Sequence, residues 1–174
     1  MRDYCKITMI EFPEEKDWQA VMERALVTVG KRTKKSPTRE WREGILEARH
    51  SPIRRLRFSF FLEGVPYWLS VHLSRHTHAQ PYIQSQRDEE NSRNERLQDH
   101  PVNMIWDLNG EELMIVANKR LCKKAHEDTR GIVKMMCTIA AFECPEFERF
   151  LVPMCVYHGG TCHEMKPCGK VEEK

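Results

Sequence analysis

At 174 residues the chain is long enough to fill one core and short for two, so a single domain over residues 1–174 is expected. Its 28 basic and 26 acidic residues leave a formal charge of +2, too little for the uniform basic face that a nucleic-acid polymer requires, and a small anion is the better partner. No run of about 18 apolar residues occurs, and no long apolar run follows Met1-Arg2-Asp3-Tyr4, so neither a membrane span nor a signal peptide is indicated and a cytoplasmic location is expected; there, an odd count of seven cysteines points to reduced thiols or a metal site over a disulfide framework.

From Cys5 to Phe12, Ile7, Met9 and Ile10 stand among Lys6, Thr8 and Glu11, which predicts an N-terminal strand stopped by Pro13. Asp17 is placed to cap a helix running to about Thr28, with Trp18, Val21, Met22, Ala25 and Leu26 on its core face and Gly30 at its end. Lys31 to Lys35, four cations around Thr33, reads as a solvated linker outside any site. Ser36-Pro37 is a cap-then-proline start for a helix through Trp41, Ile45 and Leu46 that delivers the chain to His50. From Arg54 to Glu63, Leu56, Phe58, Phe60 and Leu62 alternate with Arg55, Arg57 and Ser59, the pattern of a half-buried strand, and Gly64 is expected to break it. Val65 to Leu73 resumes as an apolar segment that presents Arg75 at its end.

Leu73 to Arg87 then gathers Arg75, Arg87, His76 and His78 with Ser74, Thr77, Gln80, Gln84 and Ser85. Two guanidinium forks and several short neutral donors suit a phosphate, with Pro81 expected to fix the loop between them, while a solvated polar loop is the alternative that polarity alone favours. Asp88 to Asp99 is charged and carries no apolar period, so a loop or an exposed helix is expected there. Asn109 can cap a helix whose acidic pair, Glu111-Glu112, suits the positive end of the macrodipole. Leu113, Val116, Ala117 and Arg120 fall on one stripe of that helix, which puts the Arg120 guanidinium at the edge of an apolar face. A second helix, about Glu127 to Phe142, carries Ile132, Val133, Met136, Ile139 and Ala140 into the core with Cys137 as a small buried residue, and a short helix through Phe147, Phe150 and Leu151 follows Pro145. In the tail, Cys155-x6-Cys162-x5-Cys168 with His158 and His163 offers zinc ligands without the paired Cys-x2-Cys spacing of a zinc ribbon, so reduced cysteines are the expected state. Neither Gly-x-Gly-x-x-Gly nor the Gly-x4-Gly-Lys phosphate loop occurs, which disfavours Rossmann and P-loop enzymes.

Four ordered blocks resemble the flavin-dependent thymidylate synthases. Arg75-His76 followed by Ser85 and Arg87 is similar to that family's Arg-His-Arg-x-x-Ser-x-Asn-Glu-x-Ser-x-Arg signature. His50-Ser51-Pro52 before Leu56-Arg57-Phe58-Ser59-Phe60 resembles its His-x-Ser/Thr-Pro element, Asn109 through Asn118-Lys119-Arg120 its active-site helix, and Pro153-x-Cys155 to Pro167-Cys168-Gly169 the tail of bacterial members. The sequence departs from the signature at Thr77, Gln80, Tyr82 and Ile83. The resemblance implies an α+β (α/β) fold with a small antiparallel or mixed sheet, FAD as cofactor, NADPH and methylenetetrahydrofolate as co-substrates, and reductive methylation of dUMP to dTMP at sites between subunits of a homotetramer. It implies Ser51, Arg75, His76 and Asn109 on the cofactor, Ser85, Arg87, Arg75, Gln84 and His72 on the nucleotide, and Arg120 gripping the pyrimidine; Arg93 is a looser match to a further anion-binding arginine. No enzyme nucleophile is needed, so no cysteine need be catalytic. Because the departures fall at positions that touch flavin and nucleotide, two alternatives stay open: an enzyme of the same lineage acting on another uracil nucleotide or one-carbon donor, and a flavin- or nucleotide-binding module without turnover. A zinc-stabilised interaction protein built on the tail is a third.

Overall fold

The computed structural model describes residues 5–86 and 97–169. Arg87, Arg93 and most of the charged stretch after Asp88 lie outside the described residues. Alternation of apolar and polar side chains makes the strands. β1 (Lys6–Glu11), β2 (Arg57–Pro66), β3 (Gln80–Ile83) and β4 (Pro101–Asn109) form an antiparallel sheet in the order β1-β2-β4-β3. Along β4, Val102, Met104, Trp106 and Leu108 are buried and the residues between them are not, and on β2 Phe58, Phe60 and Leu62 share that inner face. The register sets Met9, Phe60, Trp106 and Pro81 in one row across the four strands.

Two expectations change here. Gly64 does not end β2: it sits at φ 71° where the register slips between Leu62 and Val65, and its N–H donates to Asn103 Oδ1 at 3.1 Å. A glycine in the left-handed region accommodates the bulge, so the strand bends and continues to Pro66. Pro81 likewise lies in a strand, not a loop. On the edge of the sheet its missing N–H removes no needed ladder bond.

Helices α1 (Glu15–Val27), α2 (Arg39–Glu47), α3 (Tyr67–Leu73), α4 (Gly110–Arg120), α5 (Glu127–Glu143) and α6 (Met154–Tyr157) complete the α+β architecture, with 3-10 turns at Ser51–Arg55 and Pro145–Phe150. Helix α1 starts two residues earlier than Asp17, which instead stands in the first turn and accepts the Glu14 N–H at 3.1 Å. Helix α2 starts at Arg39 because Thr38, not Ser36, accepts the Trp41 N–H. Buried side chains of β2, β4, α1, α2, α3, α4, α5 and the Pro145 turn form one continuous core.

Helix α4 is the innermost helix, with Leu113, Met114, Val116, Ala117 and Asn118 all fully buried. Its start is fixed from both sides: Asn109 Oδ1 accepts the Glu112 N–H at 2.9 Å, and the Gly110 N–H donates to Leu56 O at 2.8 Å. A Cβ on Gly110 would lie 2.9 Å from Ile53 O, 3.2 Å from Phe147 Cζ and 3.3 Å from Leu56 Cβ. Alanine for glycine normally gains up to about 1 kcal/mol in a helix. Here the backbone oxygen cannot yield, and Gly110→Ala is expected to lower stability by about 1–2 kcal/mol, read as a shift in the urea midpoint.

Candidate functional site

Glu112 and Arg120 lie eight residues apart on one stripe of α4, about 12 Å along its axis and too far to bond directly. His76 fills the gap. It follows α3 in a turn closed by the Ala79 N–H to His76 O bond of 3.1 Å, is buried, and packs its ring against Trp106 with centroids 5.9 Å apart. His76 Nδ1 lies 3.1 Å from Glu112 Oε1, and Arg120 Nε donates to His76 Nε2 at 3.0 Å. His72, from the last turn of α3, meets the same guanidinium, with Nε2 3.0 Å from Arg120 Nη1 and Nδ1 3.3 Å from Thr129 Oγ1 in the first turn of α5.

These contacts fix the protons. A guanidinium only donates, so both histidines must accept at Nε2; each is therefore neutral and carries its proton on Nδ1. His76 then donates to the Glu112 carboxylate and His72 to the Thr129 hydroxyl. Glu112 cannot be the donor, because His76 would then need to accept at both nitrogens. Burial first, then the charges of Arg120 and Arg75, then His76 and His126, hold the His72 imidazole below its ordinary titration range. The sign of the linkage follows. Above the unfolded value of about 6.5 both states are neutral and the contribution of His72 is whole; below it the unfolded chain takes up the proton first, and stability is lost as pH falls through the folded-state value. Urea midpoints at pH 7.5 and pH 5.5 are expected to fall further in the wild type than in His72→Gln, whose amide does not titrate.

Arg120 itself is half-buried, and burial with the nearby Arg75 charge lowers its pKa. Its Nη2 has no protein partner among the described residues, and neither Arg120 nor Arg75 forms an ion pair among them. The nearest carboxylate on its stripe, Glu112, is bonded to His76. Two guanidinium groups, one held by histidines and one exposed, thus have no compensating carboxylate among the described residues, which is the chemistry of an anion or carbonyl site.

The other residues expected at the site are placed as follows. Ser51 is exposed at the start of the Ser51–Arg55 turn, and no hydrogen bond among the described residues joins it to the histidines. Asn109 uses its side-chain oxygen as the α4 cap. Gln84 is tied to β4, its N–H donating to Asn103 O at 2.8 Å and its Oε1 accepting the Asn103 N–H at 3.0 Å. Ser85 is exposed just beyond β3. His72, Arg75, His76 and Arg120 are brought together. Glu112 and Thr129 were not expected. The acidic pair is divided, with Glu111 meeting Arg54 at the surface while Glu112 is 2% exposed. The available signal was position: 112, 116 and 120 share one buried stripe, and a carboxylate there requires a partner.

Asn118, two residues before Arg120, is a structural clamp. Fully buried, it accepts from Arg49 Nη2 and donates through Nδ2 to Phe150 O at 3.3 Å and Val152 O at 2.7 Å. Arg49, at φ 47°, also lays its guanidinium 4.6 Å over the Tyr157 ring.

All seven cysteines are free thiols. Burial pushes the Cys137 and Cys144 thiols up to about 12, the latter with help from Glu146 and Glu143, and burial with Glu63 takes Cys5 to about 11; none of the three is a ready thiolate. Among the described residues no group of three or more His, Cys, Asp or Glu side chains is close enough to hold a metal ion, and Cys155, Cys162 and Cys168 form no such group. No described helix is long and apolar enough to cross a membrane. Two surface depressions, about 920 Å³ along the outer side of α5 and about 420 Å³ beside Trp68 and His126, are lined by neither Arg120 nor the paired histidines.

No family model matches the chain, and no curated protein sequence matches it. Among solved structures it is similar to thymidylate synthase X from Helicobacter pylori, crystallised with FAD and dUMP, with a TM-score of 0.65 over 88% of this chain and 99% of that one. The two are 10% identical in sequence. The likeness is one of fold. The mixed α+β arrangement with a small antiparallel sheet is thus shared with a protein that has been seen with a flavin and a uracil nucleotide.

Proposed function

We propose that this protein is a flavin-dependent enzyme of the thymidylate synthase X type, converting dUMP to dTMP in the cytoplasm. The observation that carries the reading is the Arg120 guanidinium, held by two neutral histidines and with no carboxylate partner among the described residues. A cation so fixed stabilises negative charge on a uracil carbonyl without reorganising. His72 and Arg75 flank it, and Ser85, Gln84 and Arg87 complete the nucleotide contacts. Bound FAD would supply the redox step, carrying electrons from NADPH to the methylene that methylenetetrahydrofolate donates.

The residues fit FAD in part. Ser51 and Arg75 are exposed and offer a hydroxyl and a guanidinium to its pyrophosphate, and Asn109 stands beside them in the proposal through its amide. His76 has both nitrogens engaged by Glu112 and Arg120, which leaves it only ring contact with a cofactor. We assign the active unit as a homotetramer in which a second subunit closes the site. That same commitment of His76, with Tyr82 and Ile83 in the signature, favours as second reading a module that binds the nucleotide without turnover.

Visible spectra of the purified protein with FAD and then dUMP test the reading. A bound flavin band that shifts on adding dUMP, with dTMP formed when the folate and NADPH are supplied, is the expected result. A shift without dTMP selects the second reading, and no flavin uptake removes the synthase reading.

A further inference from the structure

The geometry points to Glu112 as the positioning residue of the Arg120 site, acting through His76 as a bridge confined to one tautomer. The inference rests on the reading that Arg120 holds the substrate. Arg120 could be fixed by a carboxylate directly, but an ion pair would then offset the charge the site offers. A neutral imidazole between them transmits orientation and leaves the guanidinium uncompensated at contact distance among the described residues. Its own orientation must come from elsewhere, since a free imidazole exchanges its proton between Nδ1 and Nε2. Glu112 removes that freedom: an ionised carboxylate only accepts, so the proton stays on Nδ1 and Nε2 stays an acceptor for Arg120 Nε. Burial of Glu112 at 2% and His76 at 8% keeps water from supplying the alternative bonds. Thr129 does the corresponding work for His72, with a hydroxyl that can turn either way and so locks it less firmly. The groups facing the bridge are Glu112 and Arg120 from α4, His72 and Arg75 from α3 and its turn, and Trp106 from the sheet. With Nε on His76 and one Nη1 donor on His72, three of the five Arg120 donors have no partner among the described residues, and they suit carbonyl or phosphate oxygens and reject a donor.

The test variant is Glu112→Gln, isosteric and able either to accept from Nδ1–H or to donate to Nδ1. The second option moves the His76 proton to Nε2, where it meets Arg120 Nε–H. Nitrogen-15 NMR of the ligand-free wild type is expected to show His76 as the Nδ1–H tautomer only and Arg120 Nε–H in slow exchange. In Glu112→Gln both tautomers appear and Nε–H exchange quickens at least tenfold, while dUMP binding weakens at least tenfold and FAD uptake in the absence of dUMP changes less than twofold. A wild-type His76 protonated on Nε2 overturns the proposal, as does a Glu112→Gln protein with wild-type tautomer, exchange rate and dUMP affinity. If the wild type takes up neither dUMP nor FAD, the functional reading fails on its own; the tautomer and the exchange rate still decide whether Glu112 positions Arg120.

Discussion

Arg120→Ala is expected to lower kcat/KM for dUMP by about a hundredfold to a thousandfold, the effect of deleting one fixed donor that faces developing charge in a sheltered site. The loss should fall on kcat as well as on KM, because a cation held in place before the substrate arrives acts more strongly on the charged transition state than on the neutral uracil. Arg120→Lys is expected to recover little: an ammonium cannot satisfy His76 Nε2 and His72 Nε2 at 3.0 Å each and still present two donors outward. Steady-state rates with the flavin supplied in excess separate this from weakened cofactor binding. An unchanged kcat/KM in both variants would remove Arg120 from the chemistry.

Asn118→Ala is expected to lower stability by about 2–4 kcal/mol, the largest effect foreseen for any side chain not at the site. Three bonds are lost at one fully buried position, and the Phe150 and Val152 carbonyls are left without their donor. The measurement is the urea midpoint by circular dichroism, with the slope unchanged if the variant folds to the same surface. A drop below about 1 kcal/mol would mean that water replaces the amide and that the clamp is not closed.

Much of the framework is written locally. β2 shows its alternation, α5 its helical period, and α4 both its Asn109 cap and its stripe, because each signal lies within one or two turns of chain. β4 carries the same alternation in Val102, Met104, Trp106 and Leu108, yet it is absent from the expectations above. Pro81 and Gly64 mislead for a common reason: residues that usually interrupt a strand are tolerated at an edge and at a bulge, and only the neighbouring strand reveals which case applies. At the site, Arg75, His76 and Arg120 stand out by family resemblance, and His72 with them. Glu112 does not, since its bond to His76 spans 36 residues and its sequence neighbour Glu111 gives it the look of an ordinary helix-start acid. Tertiary pairing decided its role.

The Pro145–Phe150 turn also bears on how the chain is made. Phe147 packs 6.0 Å from the Trp18 ring and 5.1 Å from the Phe58 ring, centroid to centroid, and the next residues take the Asn118 bonds. A ribosome releases the N-terminal part first. Until Phe147 has emerged, Trp18 and Phe58 have no cover on that side, so the nascent chain cannot finish its interior. Chains cut short before this turn are expected to be sticky, chaperone-bound species.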